Sequence, residues 1–144
     1  MIPNTPRIVV DTNILLSTVS WPKTAPAQAY YHAIRTADLI CSDAVREEYR
    51  DVFSRPKFDP YARLDVRVAF LEALLDRCTQ VVIIEEVAEC RDIKDNKILA
   101  LALNGSADLI LTGDADLVAL HPWRGIDILT PIQYLAQQPQ NDLP

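Results

Sequence analysis

The chain alternates short β-branched runs with stretches of helical spacing. Ile8, Val9 and Val10 form an unbroken apolar run that stops at Asp11, the pattern of a strand buried on both faces of a parallel sheet. Residues 14–20 continue apolar as a short helical turn, and a loop with two prolines, Pro22 and Pro26, leads into a helix ending near Arg35. Residues 38–41 form a second strand. Ser42 then caps a helix to about Ser54, with Val45, Tyr49, Val52 and Phe53 as its apolar face. Residues 61–77 give a further helix, with Leu64, Val68, Leu71 and Leu75 at inward spacing. Residues 81–84 (VVII) give a third strand, followed by Glu85 and Glu86. A helix over 97–103, with Ile98, Leu99, Ala102 and Leu103 inward, is closed by Asn104-Gly105. Residues 108–112 give a fourth strand ending in Gly113-Asp114, where the glycine permits a tight turn or a close backbone approach. Residues 127–129 give a fifth strand, and Thr130 caps a last helix with Pro131 at its first position.

Strands alternating with helices predict a three-layer α/β/α sandwich around a central parallel sheet of four to five strands. The 144 residues suit one domain, residues 1–136, with 137–144 as a loose polar tail. No apolar run is long enough to span a membrane, and Pro3, Asn4 and Pro6 interrupt any signal-peptide pattern. Three scattered cysteines, Cys41, Cys78 and Cys90, fit reduced packing thiols in a cytoplasmic protein. Two histidines, His32 and His121, are too few and too far apart for a zinc site. A net charge of −6 disfavours non-specific nucleic-acid binding. It leaves a nuclease open, because a divalent cation can offset acids gathered in one place.

Several acids stand where an open α/β sheet puts its chemistry, beyond the carboxyl ends of strands. Asp11 follows the first strand, and Asp114 and Asp116 follow the fourth. A lone Asp in such a place is more often a turn or cap residue. The joint pattern changes that weighing. At 100° per residue, Glu48 falls on the inward edge of its helix, whereas Glu47 falls on the solvent side. Asp95 is directed at the sheet from the start of its helix, and Asp92 suits a cap. Asp11 and Asp114 meet if the first and fourth strands are neighbours. No basic residue in these motifs neutralises the whole set, and clustered carboxylates raise one another's pKa. A hard divalent cation with oxygen ligands, Mg²⁺ or Mn²⁺, is the natural partner where no Cys or His is offered. Such a site suits phosphodiester hydrolysis. No Ser-His-Asp or Cys-His pair and no phosphate-binding G-x-x-x-x-G-K motif competes with it.

The stretches IVVDTNILLS, SDAVREEYRDVFSRPKF and RDIKDNKILALALNGSADLILTGDADL together resemble a PIN-domain ribonuclease, of the branch counted among the toxins of bacterial toxin–antitoxin pairs. The resemblance runs over about residues 7–135. It implies metal-binding acids at Asp11, Glu48, Asp95 and Asp114, with Asp116 as an outer member. It also implies Mg²⁺- or Mn²⁺-dependent endonucleolytic cleavage of RNA, a cognate antitoxin that blocks the site, and a homodimer. Asp11, Asp95 and Asp114 would hold the ion or ions, and Glu48 would orient the attacking water or a second ion. Arg91, Lys94, Lys97 and Arg124 would guide the RNA backbone. One departure is Ile93, where the R-D-x-x-D motif more often has proline. The competing readings are a catalytically silent RNA- or protein-binding module and a metal-dependent phosphatase. The haloacid-dehalogenase type of phosphatase would want Asp where Asn13 stands. A receiver domain would want a phosphoacceptor where Glu85 and Glu86 stand.

Overall fold

The computed structural model describes residues 5–139, so most of the expected tail (140–144) lies outside the described residues. The element order is β1 (Arg7–Val10), α1 (Thr12–Ser20), α2 (Ala25–Thr36), β2 (Asp38–Cys41), α3 (Asp43–Phe53), α4 (Leu64–Arg77), β3 (Thr79–Gln80), α5 (Asn96–Asn104), β4 (Leu109–Leu111), α6 (Ala115–Val118), β5 (Asp127–Leu129) and α7 (Pro131–Ala136). The five strands are all parallel, in the order β3-β2-β1-β4-β5. This is the expected α/β/α architecture. Chain order runs one way from β1 to β3, then jumps back across β1 to β4. Right-handed crossovers therefore put α1 to α4 on one face and α5 and α6 on the other. The packing agrees: α1 meets α2, α3 and α4, while α5 lies against β1 and β4.

The core sits between these layers and the sheet. Ile8, Val9 and Val10 of β1 are buried between β2 and β4, and Ile110 and Leu111 of β4 between β1 and β5. Ser42 accepts from the Val45 amide at 3.2 Å and starts α3. The Tyr49 hydroxyl donates to the Val10 carbonyl and pins α3 to the end of β1. In α7 the Thr130 and Gln133 side chains cap each other's backbone. The cysteines are free thiols, with Cys41 and Cys90 buried and Cys78 half-buried.

Two readings of the pattern need correction. The third strand is not residues 81–84 but Thr79–Gln80, paired with Ile40 and Cys41. After Cys41, Ser42 turns β2 into α3, so β3 has no further partner to ladder with. Val82 and Ile84 are consequently 75% and 88% exposed, and the Asn104 side chain caps the Ile84 and Glu85 amides instead. The inward face of α4 is also different. Leu64 and Val68 are 48% and 44% exposed, and the fully buried Arg67 points inward with Leu71, Leu74 and Leu75. α5 closes at Asn104 with Gly105 as its C-cap, as expected; the φ of Gly105 is −89°, and Ser106 takes the positive φ. A Cβ at Gly105 would lie 2.5 Å from Ile40 Cδ1. Gly113 makes no such close approach, since a Cβ there would touch nothing within 4 Å.

Candidate functional site

Strand order reverses between β1 and β4, and the crevice beyond their carboxyl ends is where open α/β sheets bind ligands. Here that crevice is a cleft of about 560 Å³, and Asp11, Glu48, Asp95 and Asp114 all line it. One helix face forms a wall. Ala44, Glu47, Glu48, Asp51 and Val52 of α3 line the cleft with Arg55 beyond it, at the three- and four-residue spacing that keeps side chains on one side. Glu47 is solvent-exposed as expected, yet it also reaches the rim because the cleft runs the length of α3.

Asp11 occupies the cap position of α1, but its side chain makes no cap hydrogen bond. Its Oδ2 accepts instead from Thr112 Oγ1 at 2.7 Å, across the β1–β4 junction. Thr112 Oγ1 also accepts from the Asp114 amide at 3.0 Å. One hydroxyl thus ties both strand-end acids together. Burial pushes the Asp11 carboxyl up; the Thr112 hydroxyl and Thr12 backbone oppose this, and repulsion from Glu48 and Asp114 adds to it.

Asp95 precedes α5, again with no side-chain cap bond, and its Oδ2 is buried without a hydrogen-bond partner. Ligand atoms of Asp92, Asp95 and Asp114 lie within 4.8 Å of one another. Burial is the largest cause that pushes Asp95 up to about 7, followed by the Asp114 carboxylate beside it and then repulsion from Asp11 and Asp92. Sharing a proton with Asp114 is one way to satisfy this pair. A cation is the other, and the buried, donor-less oxygen fits one. Asp92 caps the 3-10 turn Ile93–Asp95 through the Lys94 amide, at 3.1 Å, in keeping with its expected cap role. It also belongs to the acid trio, which the sequence reading did not assign. The R-D-x-x-D spacing was the available signal, since two acids three apart share one side of a helical turn.

Glu48 is held twice: Thr12 Oγ1 donates to its Oε2 at 2.6 Å, and Lys97 Nζ pairs with its Oε1 at 3.1 Å. The second contact was not legible, because it depends on α5 meeting α3, from which it is distant in sequence. Asp116 stands apart. Its amide donates to Asp114 Oδ1 at 2.8 Å, and it is not among the residues lining the cleft. Cys90 lies near these acids. Burial pushes its thiol up, the Asp92 backbone opposes this, and Asp95, Asp114 and Asp116 push it further; the clustered ligand atoms are those of the three aspartates. Of the expected guiding cations, Lys94 and Lys97 line the cleft. Arg124 is engaged elsewhere with Glu85 and Glu89, and Arg91 is exposed outside the lining.

The architecture agrees with comparisons to known proteins. The fold is similar to the crystal structure of VapBC2 from Rickettsia felis bound to a DNA fragment from their promoter, with a TM-score of 0.61 over 86% of this chain and 98% of that chain. Sequence identity there is 14%, so the likeness speaks for the fold. No curated protein sequence matches the chain. A family profile described as PIN domain matches residues 7–116, from the start of β1 into α6. With that match covering both strand ends and both helices that frame the cleft, the chain belongs to the PIN-domain family.

Proposed function

We propose that the protein is a metal-dependent endoribonuclease and the toxin member of a toxin–antitoxin pair. The buried Asp95 Oδ2 carries this reading: it has no donor, and it stands in a trio of carboxylates whose ligand atoms are within 4.8 Å. Asp11, Asp95 and Asp114, with Asp92 beside them, would hold Mg²⁺ or Mn²⁺, and Asp116 would act from outside the cleft. A divalent cation in such a place activates water and polarises a phosphodiester. The chain's own residues do the rest. Thr112 fixes the Asp11 carboxylate and sets Asp114 beside it. Thr12 and Lys97 hold Glu48 in one orientation at the cleft wall, where it can direct an attacking water.

The motif resemblance supports RNA as substrate, with a cytoplasmic location and a homodimer as parts of the same reading. Exposed apolar residues support a protein partner such as an antitoxin. Trp21 and Tyr61 pair at 5.3 Å, and Leu64 and Val68 lie one turn apart on α4, both exposed. No helix among the described residues is long and apolar enough to cross a membrane. The test is cleavage of single-stranded RNA in Mg²⁺, Mn²⁺ or EDTA by wild type, Asp11→Asn and Asp95→Asn. Cleavage is expected from the wild type only, and only with metal. Equal cleavage by all three proteins would remove the reading.

A further inference from the structure

An acidic protein that handles a polyanion needs cations left available in its cleft. Most of the cleft's cations are engaged. Lys97 pairs with Glu48 at 3.1 Å, Arg55 with Asp51 at 2.7 Å, and Lys94 with Asp92 at 3.9 Å. Lys57 lines the same cleft and has no carboxylate partner among the described residues. Its ammonium lies over the Phe58 ring at 5.2 Å from the centroid. Lys57 sits in the 3-10 turn Pro56–Phe58, which follows the C-terminal end of α3, the helix that carries Glu48.

That turn is anchored from beneath by an unusual group. Arg67 of α4 is 0% exposed. Its guanidinium donates to the Phe53 carbonyl at 2.9 Å, the Arg55 carbonyl at 3.3 Å, the Ala62 carbonyl, and Asp59 Oδ1 at 2.9 Å. These acceptors bracket residues 53–62. A planar five-donor fork can satisfy several fixed carbonyls at once, and an ammonium cannot.

We propose that Lys57 takes a backbone phosphate of the single-stranded RNA entering the cleft, and that Arg67 is the positioning residue that holds the 55–58 turn in the shape this contact needs. The inference rests on the nuclease reading for its substrate. It concerns the strand beyond the acids, not the bond that is cut.

Binding of a short fluorescein-labelled single-stranded RNA, followed by anisotropy in Mg²⁺ over a salt series, tests it in the Asp11→Asn background. Lys57→Ala is expected to weaken binding about five-fold and to reduce the slope of log Kd against log salt by about 0.7, the single-strand value for one phosphate. Lys57→Arg should restore the slope. Lys23→Ala, on the turn before α2 and not among the residues that line the cleft, should leave it unchanged. Arg67→Lys should reproduce the Lys57→Ala loss, and the double variant should be no worse than either single one. If Arg67→Lys does not fold, Asp59→Asn loosens the same turn from its exposed end. A Lys57→Ala slope equal to that of the Lys23→Ala control, or additive losses in the double variant, overturns the proposal. So does RNA that does not bind at all. In the Asp11-intact protein, cleavage should show the Lys57→Ala loss in KM and not in kcat. A wild type that binds with the Lys57-dependent slope but never cleaves would sink the nuclease reading and leave this one standing.

Discussion

Thr112 Oγ1 donates to Asp11 Oδ2 at 2.7 Å, so the residue after β4 orients the acid after β1. The same oxygen accepts the Asp114 amide at 3.0 Å. Thr112→Val keeps the shape and removes both bonds. It is expected to lower stability by about 1–2 kcal/mol and to weaken the metal response or RNA cleavage about ten-fold, as losses of outer-shell partners do. Urea unfolding and a Mg²⁺ titration of cleavage check the two parts. Unchanged metal dependence would mean that Asp11 needs no such support.

The acid cluster ties apo-protein stability to pH, with a sign set by Asp95. Its folded pKa is raised from 3.8 to about 7, chiefly by burial, so the native state holds a proton that the unfolded chain releases. The associated stability is fully present below about pH 4 and is lost as pH rises toward 7. Asp11, also pushed up by burial, adds to the same slope. In EDTA the melting temperature should therefore fall between pH 5 and pH 8, on the order of a few degrees. Asp95→Asn should flatten most of that fall. A wild-type curve that rises over this window would contradict the buried geometry of Asp95.

A bound divalent cation should reverse that destabilisation. At about a hundred times its dissociation constant, a ligand specific for the native state adds about 2.7 kcal/mol. Mg²⁺ or Mn²⁺ should accordingly raise the melting temperature at pH 8. Asp114→Asn should blunt the rise and itself stabilise the metal-free protein, because it removes one of the carboxylates facing Asp95. A melting temperature indifferent to both ions would count against the site.

Arg67 should matter for the fold as well as for the turn. Arg67→Met fills similar space but strands the carbonyls of Phe53, Ala62 and Arg55. The Phe53 contact is buried and the other two are part-buried; a buried acceptor left unmet costs about 1–3 kcal/mol, so a loss of about 2 kcal/mol in urea unfolding is expected. A loss under about 0.5 kcal/mol, the level of ordinary surface changes, would show that water replaces the guanidinium freely.

The sheet was legible because strands buried on both faces must be apolar throughout. Ile8, Val9 and Val10, and Leu109, Ile110 and Leu111, could hardly be read otherwise. The edge was less legible. Residues 81–84 carry a strand's composition, but a ladder needs a partner, and β2 ends at Cys41. On α4 the helical spacing was real, but its phase was read from Leu64 and Val68, and the inward place went to a charged residue. Arg67 could not be foreseen as buried, because its burial depends on carbonyls from another part of the chain. In the cleft, Asp11, Glu48, Asp95 and Asp114 stand in one crevice, as their placement at strand ends and on inward helix edges suggested. Asp92 was read only as a cap, and Asp116, expected as an outer member, is not among the residues that line the cleft.

Local sequence alone determined where strands stop and helices start, and therefore which acids stand at the carboxyl edge of the sheet. Apolar runs, caps and breakers act over a few residues, so they can be read from a few residues. Only the tertiary structure decided which acids face one another, which oxygen is left without a donor, and which cations are already taken. Those outcomes are set by the reversal of strand order between β1 and β4 and by contacts such as Lys97 to Glu48, whose partners lie far apart in sequence and meet only when the sheet has formed.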